Sequence, residues 1–266
     1  MSDLPTSAEI VVIGGGVMGA STAYHLALRG QKEVVLLEKQ PFFGLGATGR
    51  CAGGIRYQFS TEINVRLSQI SLPMLERFEA ETGQAIDLRW CGYLFLLTNA
   101  QEVAAFQHNV AMQNRLGVPT QWLTDDEVRR RVPQLAADDV LAGSFHPGDG
   151  LADPNGVVAG YITAARRLGV QAFTDTAVTH IETSGGRVTA VQTNHGRIAC
   201  RAIVNAAGPW ASVISNMVGV PLPITPLRRQ MITTTPMPDI PADFPFVIDF
   251  ARSLYFHREG DGLLTG

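Results

Sequence analysis

The sequence predicts an α/β protein: a doubly wound, mainly parallel sheet with a β-meander, together with an α+β domain that has a mixed sheet. Three observations support this fold class. A strand, glycine turn, helix and second strand open the chain; short strands separated by glycine turns occupy residues 172–200; and a buried strand at 202–205 ends in small residues. We expect a first domain at 1–87 and 147–220, and a second at 88–146 and 221–266.

The opening unit is a βαβ motif. A run of β-branched residues from Ile10 to Ile13 is typical of a parallel strand buried on both faces. An alanine-rich helix is predicted from Val17 to Leu28 and ends before Gly30. A second apolar run from Val34 to Leu37 completes the unit. Its strand, turn, helix and strand follow one another at the spacing of a dinucleotide-binding motif.

The prediction of dinucleotide binding depends on three glycines and one acidic residue. Gly14 allows the tight turn, Gly16 lets a pyrophosphate approach the backbone, and Gly19 lets the helix pack close to the strand. Glu38 follows Gly19 by nineteen residues and can accept a hydrogen bond from a ribose 2′-hydroxyl. The alternative is a glycine turn without a ligand.

Helices and strands alternate through the middle of the chain. A helix is predicted from Thr61 to Glu81, with a kink or break at Pro73. The further helices are predicted at 102–116, from the Thr124 cap to 131, and at 154–168 behind an Asp153 cap. Strands are predicted at 94–97, 172–173, 177–182, 187–193 and 197–200, the last three joined by hairpin turns.

Residues 202–211 form the second informative segment. Their pattern predicts a buried strand that ends in small residues and leads into a helix. The small side chains would let part of a dinucleotide lie against the strand end. A tight strand-to-helix turn without a ligand is the simpler alternative.

Composition excludes several classes of function. The net charge of −3 gives no general electrostatic reason to bind nucleic acid. No apolar run approaches the roughly 20 residues of a membrane span. No secretory signal is recognisable, so we expect a cytoplasmic protein. Three scattered cysteines without a CxxC pair, and histidines without ligand spacing, argue against a metal site or a disulfide framework.

Six segments together resemble the FAD-dependent oxidoreductases of the D-amino acid oxidase superfamily, particularly its sarcosine oxidase-like and dimethylglycine or proline dehydrogenase-like members. They occur in the order of that family, over essentially all of the chain. The matching segments are Gly14–Gly19, Leu37–Lys39, Gly46–Arg50, Gly150–Pro154, Asp175–Val178 and Asn205–Trp210.

The resemblance implies FAD as the cofactor. By position, it assigns the following residues to FAD binding: Gly14, Gly16, Val17, Met18, Gly19, Glu38, Lys39, Thr48, Gly49, Arg50, Cys51, Val178, Ala206, Ala207, Gly208 and Trp210. Arg50 could instead be a solvated cation. A covalent flavin link at Cys51 is a minor alternative.

The resemblance also implies an amine substrate that transfers a hydride from its α-carbon to flavin. Arg56 matches an arginine that binds substrate carboxylate, which a guanidinium can grip with two parallel hydrogen bonds. A structural salt bridge is the alternative for Arg56. Tyr255 and His257 alternate along a strand and would share a face, where they could orient the substrate and tune local charge. Packing and surface roles are the alternatives for both.

The chain departs from the family pattern in three ways. Leu264 lies where oxygen-using relatives carry a lysine, which favours a dehydrogenase with another electron acceptor. Relatives also extend well beyond a strand like the one ending at Gly266, so the chain resembles an N-terminal portion whose substrate domain is incomplete. The helix after Asp153 lacks the lysine–histidine pair that holds a second flavin in one branch of the family.

The sequence therefore favours an FAD enzyme that oxidises a small secondary or N-methylated amino acid, with an electron acceptor or partner subunit as a further partner. One alternative is another FAD oxidoreductase, such as a glycerol-3-phosphate dehydrogenase-like enzyme. A truncated, non-catalytic flavin-binding subunit is the other.

Overall fold

The computed structural model describes residues 4–136 and 138–266. Its strands, in chain order, are β1 (Ser7–Ile13), β2 (Val34–Leu37), β3 (Gly54–Ile55), β4 (Tyr93–Leu97), β5 (Gln121–Thr124), β6 (Ala142–His146), β7 (Gly150–Leu151), β8 (Gln171–Phe173), β9 (Val178–Ser184), β10 (Arg187–Thr193), β11 (Gly196–Asn205), β12 (Ile232–Thr233), β13 (Phe246–Asp249), β14 (Leu254–Glu259) and β15 (Gly262–Thr265). Its helices are α1 (Val17–Leu28), α2 (Glu62–Glu76), α3 (Phe78–Thr82), α4 (Ala100–Arg115), α5 (Asp125–Arg131), α6 (Pro154–Arg167) and α7 (Ala211–Asn216).

The described residues form two compact units. The first contains the chain up to Cys51, with Phe78–Ile86 and Asp153–Leu227. The second contains Ala52–Arg77, Asp87–Ala152 and Arg228–Gly266. The division expected from the sequence placed residues 52–77 in the first domain, whereas here they fold with the second unit. Pairing of β3 with β7 and packing of α2 on α4 explain that placement.

The first unit is built on a six-stranded sheet in the order β8-β2-β1-β11-β10-β9. The strands β8, β2, β1 and β11 are parallel, and β9, β10 and β11 follow one another as an antiparallel meander. This order confirms the predicted mainly parallel sheet with a β-meander. It also places the carboxyl ends of β2 and β11 on either side of the carboxyl end of β1.

The core of the first unit is formed by buried apolar side chains of its central strands. Val11, Val12, Val34 and Val35 are almost inaccessible to solvent, as expected of parallel strands covered on both faces. The helices α1 and α6 pack against each other. The Asp153 side chain accepts from the amides of residues 155 and 156, both at 2.9 Å, and so caps α6 as predicted.

The second unit is built on a seven-stranded mixed sheet in the order β12-β15-β14-β13-β4-β6-β5. The pair β13–β4 is parallel and the other neighbours are antiparallel. Along β4, Tyr93 and Phe95 belong to one apolar cluster, whereas Leu94 and Leu96 belong to another. Side chains of this strand therefore pack on both faces of the sheet.

Several predicted helices are confirmed, with shifted limits. Thr124 caps α5 through a reciprocal capping box with Glu127. Pro73 lies inside α2, which continues to Glu76 and is followed by the separate α3. Among the described residues, no helix has both the length and the apolar character needed to cross a membrane.

Candidate functional site

Two glycines around the start of α1 have no room for a side chain: Gly14 in the turn after β1, and Gly19 in the first turn of the helix. Gly14 has a φ of +110°, and a Cβ there would lie 2.4 Å from the Ala206 carbonyl oxygen. A Cβ on Gly19 would lie 1.8 Å from the Gly14 carbonyl oxygen. Glycine at 14 therefore lets the turn approach the end of β11, and glycine at 19 lets α1 approach the turn.

The first residues of α1 present backbone rather than side-chain polar groups. Gly16 is the N-cap residue and provides no side-chain cap. The Val17 amide donates to Thr48 Oγ1 at 3.1 Å, so Thr48 is held at the helix N-terminus. Met18, the next residue, is exposed. A helix start with no acidic residue in its first turn keeps the positive end of its dipole available to an anion.

Glu38 lies at the end of β2 and is bound to the glycine turn. Its Oε2 accepts from the Gly15 amide at 2.7 Å, and its Oε1 accepts from the Gln40 amide at 2.9 Å. These two bonds fix the orientation of the carboxylate. Each oxygen keeps a second acceptor site, so a hydroxyl donor can still bind.

The end of β11 lies beside this turn. The Ala206 amide donates to the Ile13 carbonyl at 2.9 Å, which joins the two strand ends. Ala207 and Gly208 follow, and Gly208 has a φ of +52°. Trp210 then lies under the Lys39 ammonium, which is 3.3 Å from the centroid of the indole ring. Lys39 follows β2 and Trp210 follows β11, the two strands on either side of β1. The structure thus brings these two predicted cofactor residues into a cation–π contact.

The remaining predicted cofactor residues lie on two segments. Thr48–Arg50 form a short 3-10 turn, and Cys51 after it is an exposed free thiol. The Gly49 amide donates to the Gly44 carbonyl at 2.8 Å. Val178 begins β9 and is partly buried against the first unit's core. The nearby Thr176 amide donates to the Glu38 carbonyl at 2.8 Å, which connects this segment to the end of β2.

Arg56 belongs to the second unit and lies against aromatic rings. Its guanidinium carbon is 4.6 Å from the Phe59 ring centroid and 5.5 Å from that of Phe95. Within residues 4–136 and 138–266, no carboxylate forms an ion pair with it. The structural salt bridge considered for this arginine is therefore not observed in the described part of the chain.

Tyr255 and His257 both contact Phe246, as the alternation along β14 predicts. Their ring centroids lie 5.7 and 4.9 Å from that of Phe246. His257 is 1% exposed, and burial lowers the pKa of its imidazole, so the ring is neutral near pH 7. Its Nδ1–H donates to the Arg258 carbonyl at 2.9 Å, whereas the buried Nε2 has no hydrogen-bond partner in the described residues. The roles proposed for these two residues in substrate binding remain predictions.

Sequence reasoning missed a buried polar cluster in the second unit. Asp149 is fully buried and accepts hydrogen bonds from the Tyr57 amide, the Gln58 side chain and the His146 ring. The acid lies about ninety residues from two of its partners in the chain. The only local signal was its position between two glycines in the Gly148–Gly150 segment.

The first unit fits a dinucleotide with a diphosphate. Neither Gly14 in the turn nor Gly19 in α1 has room for a Cβ, and the first turn of α1 contains no acidic residue. Glu38 supplies an oriented carboxylate at the neighbouring strand end. A mainly parallel sheet with these features defines the class of dinucleotide-binding α/β proteins.

Comparison with known proteins identifies the family. The sequence profile of the family described as "FAD dependent oxidoreductase" matches residues 9–266. The chain belongs to this family, whose cofactor is FAD. Gly14, Gly16, Gly19 and Glu38 are the residues that would hold it in the first unit.

Individual relatives agree with this assignment. The chain is similar to mitochondrial dimethylglycine dehydrogenase of Rattus norvegicus, with 35% identity over 263 residues, 97% of this chain and 30% of that protein. It is 32% identical to mitochondrial sarcosine dehydrogenase of Mus musculus over 269 residues, 99% of this chain and 29% of that protein. The chain thus spans less than a third of the length of these relatives.

A solved structure shows the same fold. L-Proline dehydrogenase from P. horikoshii superposes with a TM-score of 0.89 and 36% sequence identity, covering 99% of this chain and 70% of that one. Glycine oxidase from Geobacillus kaustophilus superposes with a TM-score of 0.85 and 26% identity, over 98% of this chain and 71% of that one.

Proposed function

We propose that this chain binds FAD and part of the substrate in an enzyme that oxidises the C–N bond of a small secondary or N-methylated amino acid. The names of its relatives support this substrate class, since they are dehydrogenases of dimethylglycine, sarcosine and L-proline. When bound, FAD accepts the hydride from the substrate carbon. The residues of the chain must then bind and orient the amino acid.

The observation that best supports the proposal is that the Arg56 guanidinium lies against aromatic rings and has no carboxylate partner among the described residues. Its guanidinium lies over Phe59 and Phe95, and no described carboxylate neutralises its charge by an ion pair. Aromatic rings hold a guanidinium by cation–π contact but leave its N–H groups available at the edge. An amino-acid carboxylate can accept two parallel hydrogen bonds from that edge.

The surrounding aromatic cluster suits the apolar part of a methylated amine. Phe95 belongs to a cluster that also contains Tyr93 and Phe246, with Tyr255 packed against it. Tyr93 and Phe246 stack with their centroids 4.2 Å apart. We expect these rings to exclude water from the methyl or ring carbons of the substrate while Arg56 binds its carboxylate.

Anaerobic reduction of the flavin tests the proposal. The chain is purified, its visible absorbance is recorded, and sarcosine, dimethylglycine, proline, glycine, D-amino acids and glycerol 3-phosphate are added separately. Bleaching by the first three supports the proposal. Bleaching by glycerol 3-phosphate alone would favour another FAD oxidoreductase, and a folded but colourless chain would favour a non-catalytic subunit.

Two arginine variants sharpen this test. Arg56→Ala should weaken amino-acid binding by about 1.5–3 kcal/mol, the range for hydrogen bonds to charged groups. Arg66→Ala is the matched control, because Arg66 lies in the same unit and pairs with Glu62 on the exposed side of α2. Equal affinities of the Arg56 variant and the unmodified chain would remove Arg56 from the site.

A further inference from the structure

Asp149 is a charged group in an unusual setting. Its side chain has no exposure to solvent, and no lysine or arginine in the described residues pairs with it. Burying a carboxylate is costly unless donors replace its water. Here the donors come from one backbone amide and two side chains: Tyr57 N at 2.6 Å, Gln58 Nε2 at 2.9 Å and His146 Nδ1 at 3.2 Å.

Gln58 extends these contacts to the sheet. Its Nε2 also donates to the Tyr93 carbonyl at 3.0 Å, and its Oε1 accepts from Ser144 Oγ at 2.7 Å. Gln58 and Ser144 are both buried. Both polar atoms of the Gln58 side chain therefore form hydrogen bonds. These bonds connect the segment after Arg56 to β4 and β6.

Both neighbours of Arg56 in the chain are held by the same short segment. On one side, Ile55 in β3 pairs with Gly150 in β7. On the other side, the Tyr57 amide donates to the carboxylate of Asp149. Residues 149 and 150 thus fix the backbone immediately before and after the guanidinium-bearing residue.

We propose that Asp149 is a positioning residue that holds the Arg56 segment in the conformation that binds a substrate carboxylate. The inference rests on the proposed function for its ligand, but the contact between Asp149 and Tyr57 is independent of it. Preorganisation of this kind strengthens binding because the arginine backbone need not be ordered when the ligand arrives.

An acceptor-only group explains why the residue is an acid. All three partners point donors at it, and an ionised carboxylate has only acceptors. Oδ1 accepts from the Tyr57 amide and from His146, whereas Oδ2 accepts from Gln58. Asparagine has almost the same shape but would direct an N–H₂ group at Gln58 or at the other two donors, and its remaining oxygen is uncharged. Asp149→Asn therefore disrupts the hydrogen bonding while it conserves the volume.

The first test needs no substrate. Amide exchange at Tyr57 and ¹⁵N relaxation of the Arg56 side chain are measured by NMR on the full chain, for the unmodified protein, Asp149→Asn and the control Asp126→Asn on the exposed surface of α5. We expect about tenfold faster Tyr57 exchange and a more mobile Arg56 in Asp149→Asn alone, because the Tyr57 amide loses its charged acceptor in either orientation of the asparagine. Unchanged exchange and mobility would overturn the proposal.

The second test separates positioning from a general loss of structure. Binding of sarcosine and of dimethylamine, which lacks the carboxylate, is measured by calorimetry for Asp149→Asn, Arg56→Ala and the double variant. Sarcosine should bind about tenfold more weakly to Asp149→Asn, dimethylamine should be unaffected, and the double variant should be no weaker than Arg56→Ala. Additive losses, or equal losses for both ligands, would contradict a role through Arg56.

The outcomes distinguish the two proposals. If Arg56 becomes mobile in Asp149→Asn but the unmodified chain binds no amino acid, the proposed function fails and the positioning role stands. If Asp149→Asn does not fold, Asp149→Ala takes its place, because it withdraws the acceptor from the Tyr57 amide and places no new donor beside Gln58 or His146. An unchanged Tyr57 exchange rate in that variant would then overturn the proposal.

Discussion

The carboxylate of Glu38 accepts a hydrogen bond from the amide of Gly15 at 2.7 Å, which links the end of β2 to the glycine turn after β1. The Gln40 amide provides the second bond, at 2.9 Å. The acid predicted to bind a ribose hydroxyl is thus also a structural part of the turn. Its orientation is set before any ligand arrives, which lowers the entropic cost of binding.

Glu38→Gln should weaken both the fold and FAD binding. Glutamine keeps the shape but directs an N–H₂ group at one of two amide donors, so at least one bond to a charged acceptor is lost, at a cost of about 1.5–3 kcal/mol. Urea unfolding gives the stability, and the absorbance of retained flavin gives the loading. Glu79→Gln, at an exposed position of α3, is the control and should match the unmodified chain. Normal loading of Glu38→Gln would show that the carboxylate is dispensable for FAD.

Gly19→Ala should destabilise the first unit although alanine is the better helix former. The new Cβ would lie 1.8 Å from the Gly14 carbonyl oxygen, a backbone atom that cannot move without displacing the turn. Overpacking of this kind costs about 1–3 kcal/mol or more, which exceeds the helix-propensity gain of about 1 kcal/mol. Thermal unfolding measures the loss. Gly46→Ala, with open space around it, is the control, and equal melting of the two variants would refute the steric argument.

The βαβ unit could be predicted because its constraints are local. Gly19 is required by its contact with Gly14, five residues away, and Gly14 by its contact with the end of the adjacent strand. The strands and the helix of this unit have clear apolar patterns, and Glu38 follows the second strand directly. The cap residues Thr124 and Asp153 could be predicted for the same reason, since a cap contacts amides only two or three residues away in the chain.

The second unit was harder to predict because its contacts are distant in sequence. β6 was missed, since Gly143 and Ser144 resemble a turn rather than the interior of a sheet. Gly143 is needed there because a Cβ would lie 2.8 Å from the Val128 side chain and 3.1 Å from the Phe95 carbonyl. The contact of Asp149 with Tyr57 joins residues 92 positions apart, and no local pattern reports such a pair.

The stability of the second unit should fall below pH 6.5 in a way that depends on His257. Burial lowers the pKa of this imidazole below its ordinary value of 6.5, so the unfolded chain binds the proton more readily than the folded one. Stability is therefore full above the unfolded pKa and is lost as pH falls through the folded pKa. The slope is at most about 1.4 kcal/mol per pH unit for one group.

Urea unfolding between pH 5 and 8 checks this pH dependence. His257→Asn keeps an N–H donor for the Arg258 carbonyl and should flatten the profile, whereas His108→Asn, on the exposed side of α4, is the control. A profile for His257→Asn that coincides with that of the unmodified chain would show that other groups cause the acid sensitivity.

Lys39 and Trp210 should contribute to FAD affinity as a pair. The ammonium lies 3.3 Å from the indole centroid, and the two residues follow the ends of β2 and β11, on either side of β1. If the indole holds the ammonium beside the cofactor, Lys39→Met and Trp210→Leu should each reduce FAD affinity. The double variant should lose about 0.5–1 kcal/mol less than the sum of the two, the range for an exposed cation–π contact. Calorimetric titration with FAD measures the cycle, and Lys32→Met, on the exposed surface of the same unit, is the control for lost charge. Additive losses would mean that the two side chains act on FAD separately, and no loss in either would place the cofactor away from this pair.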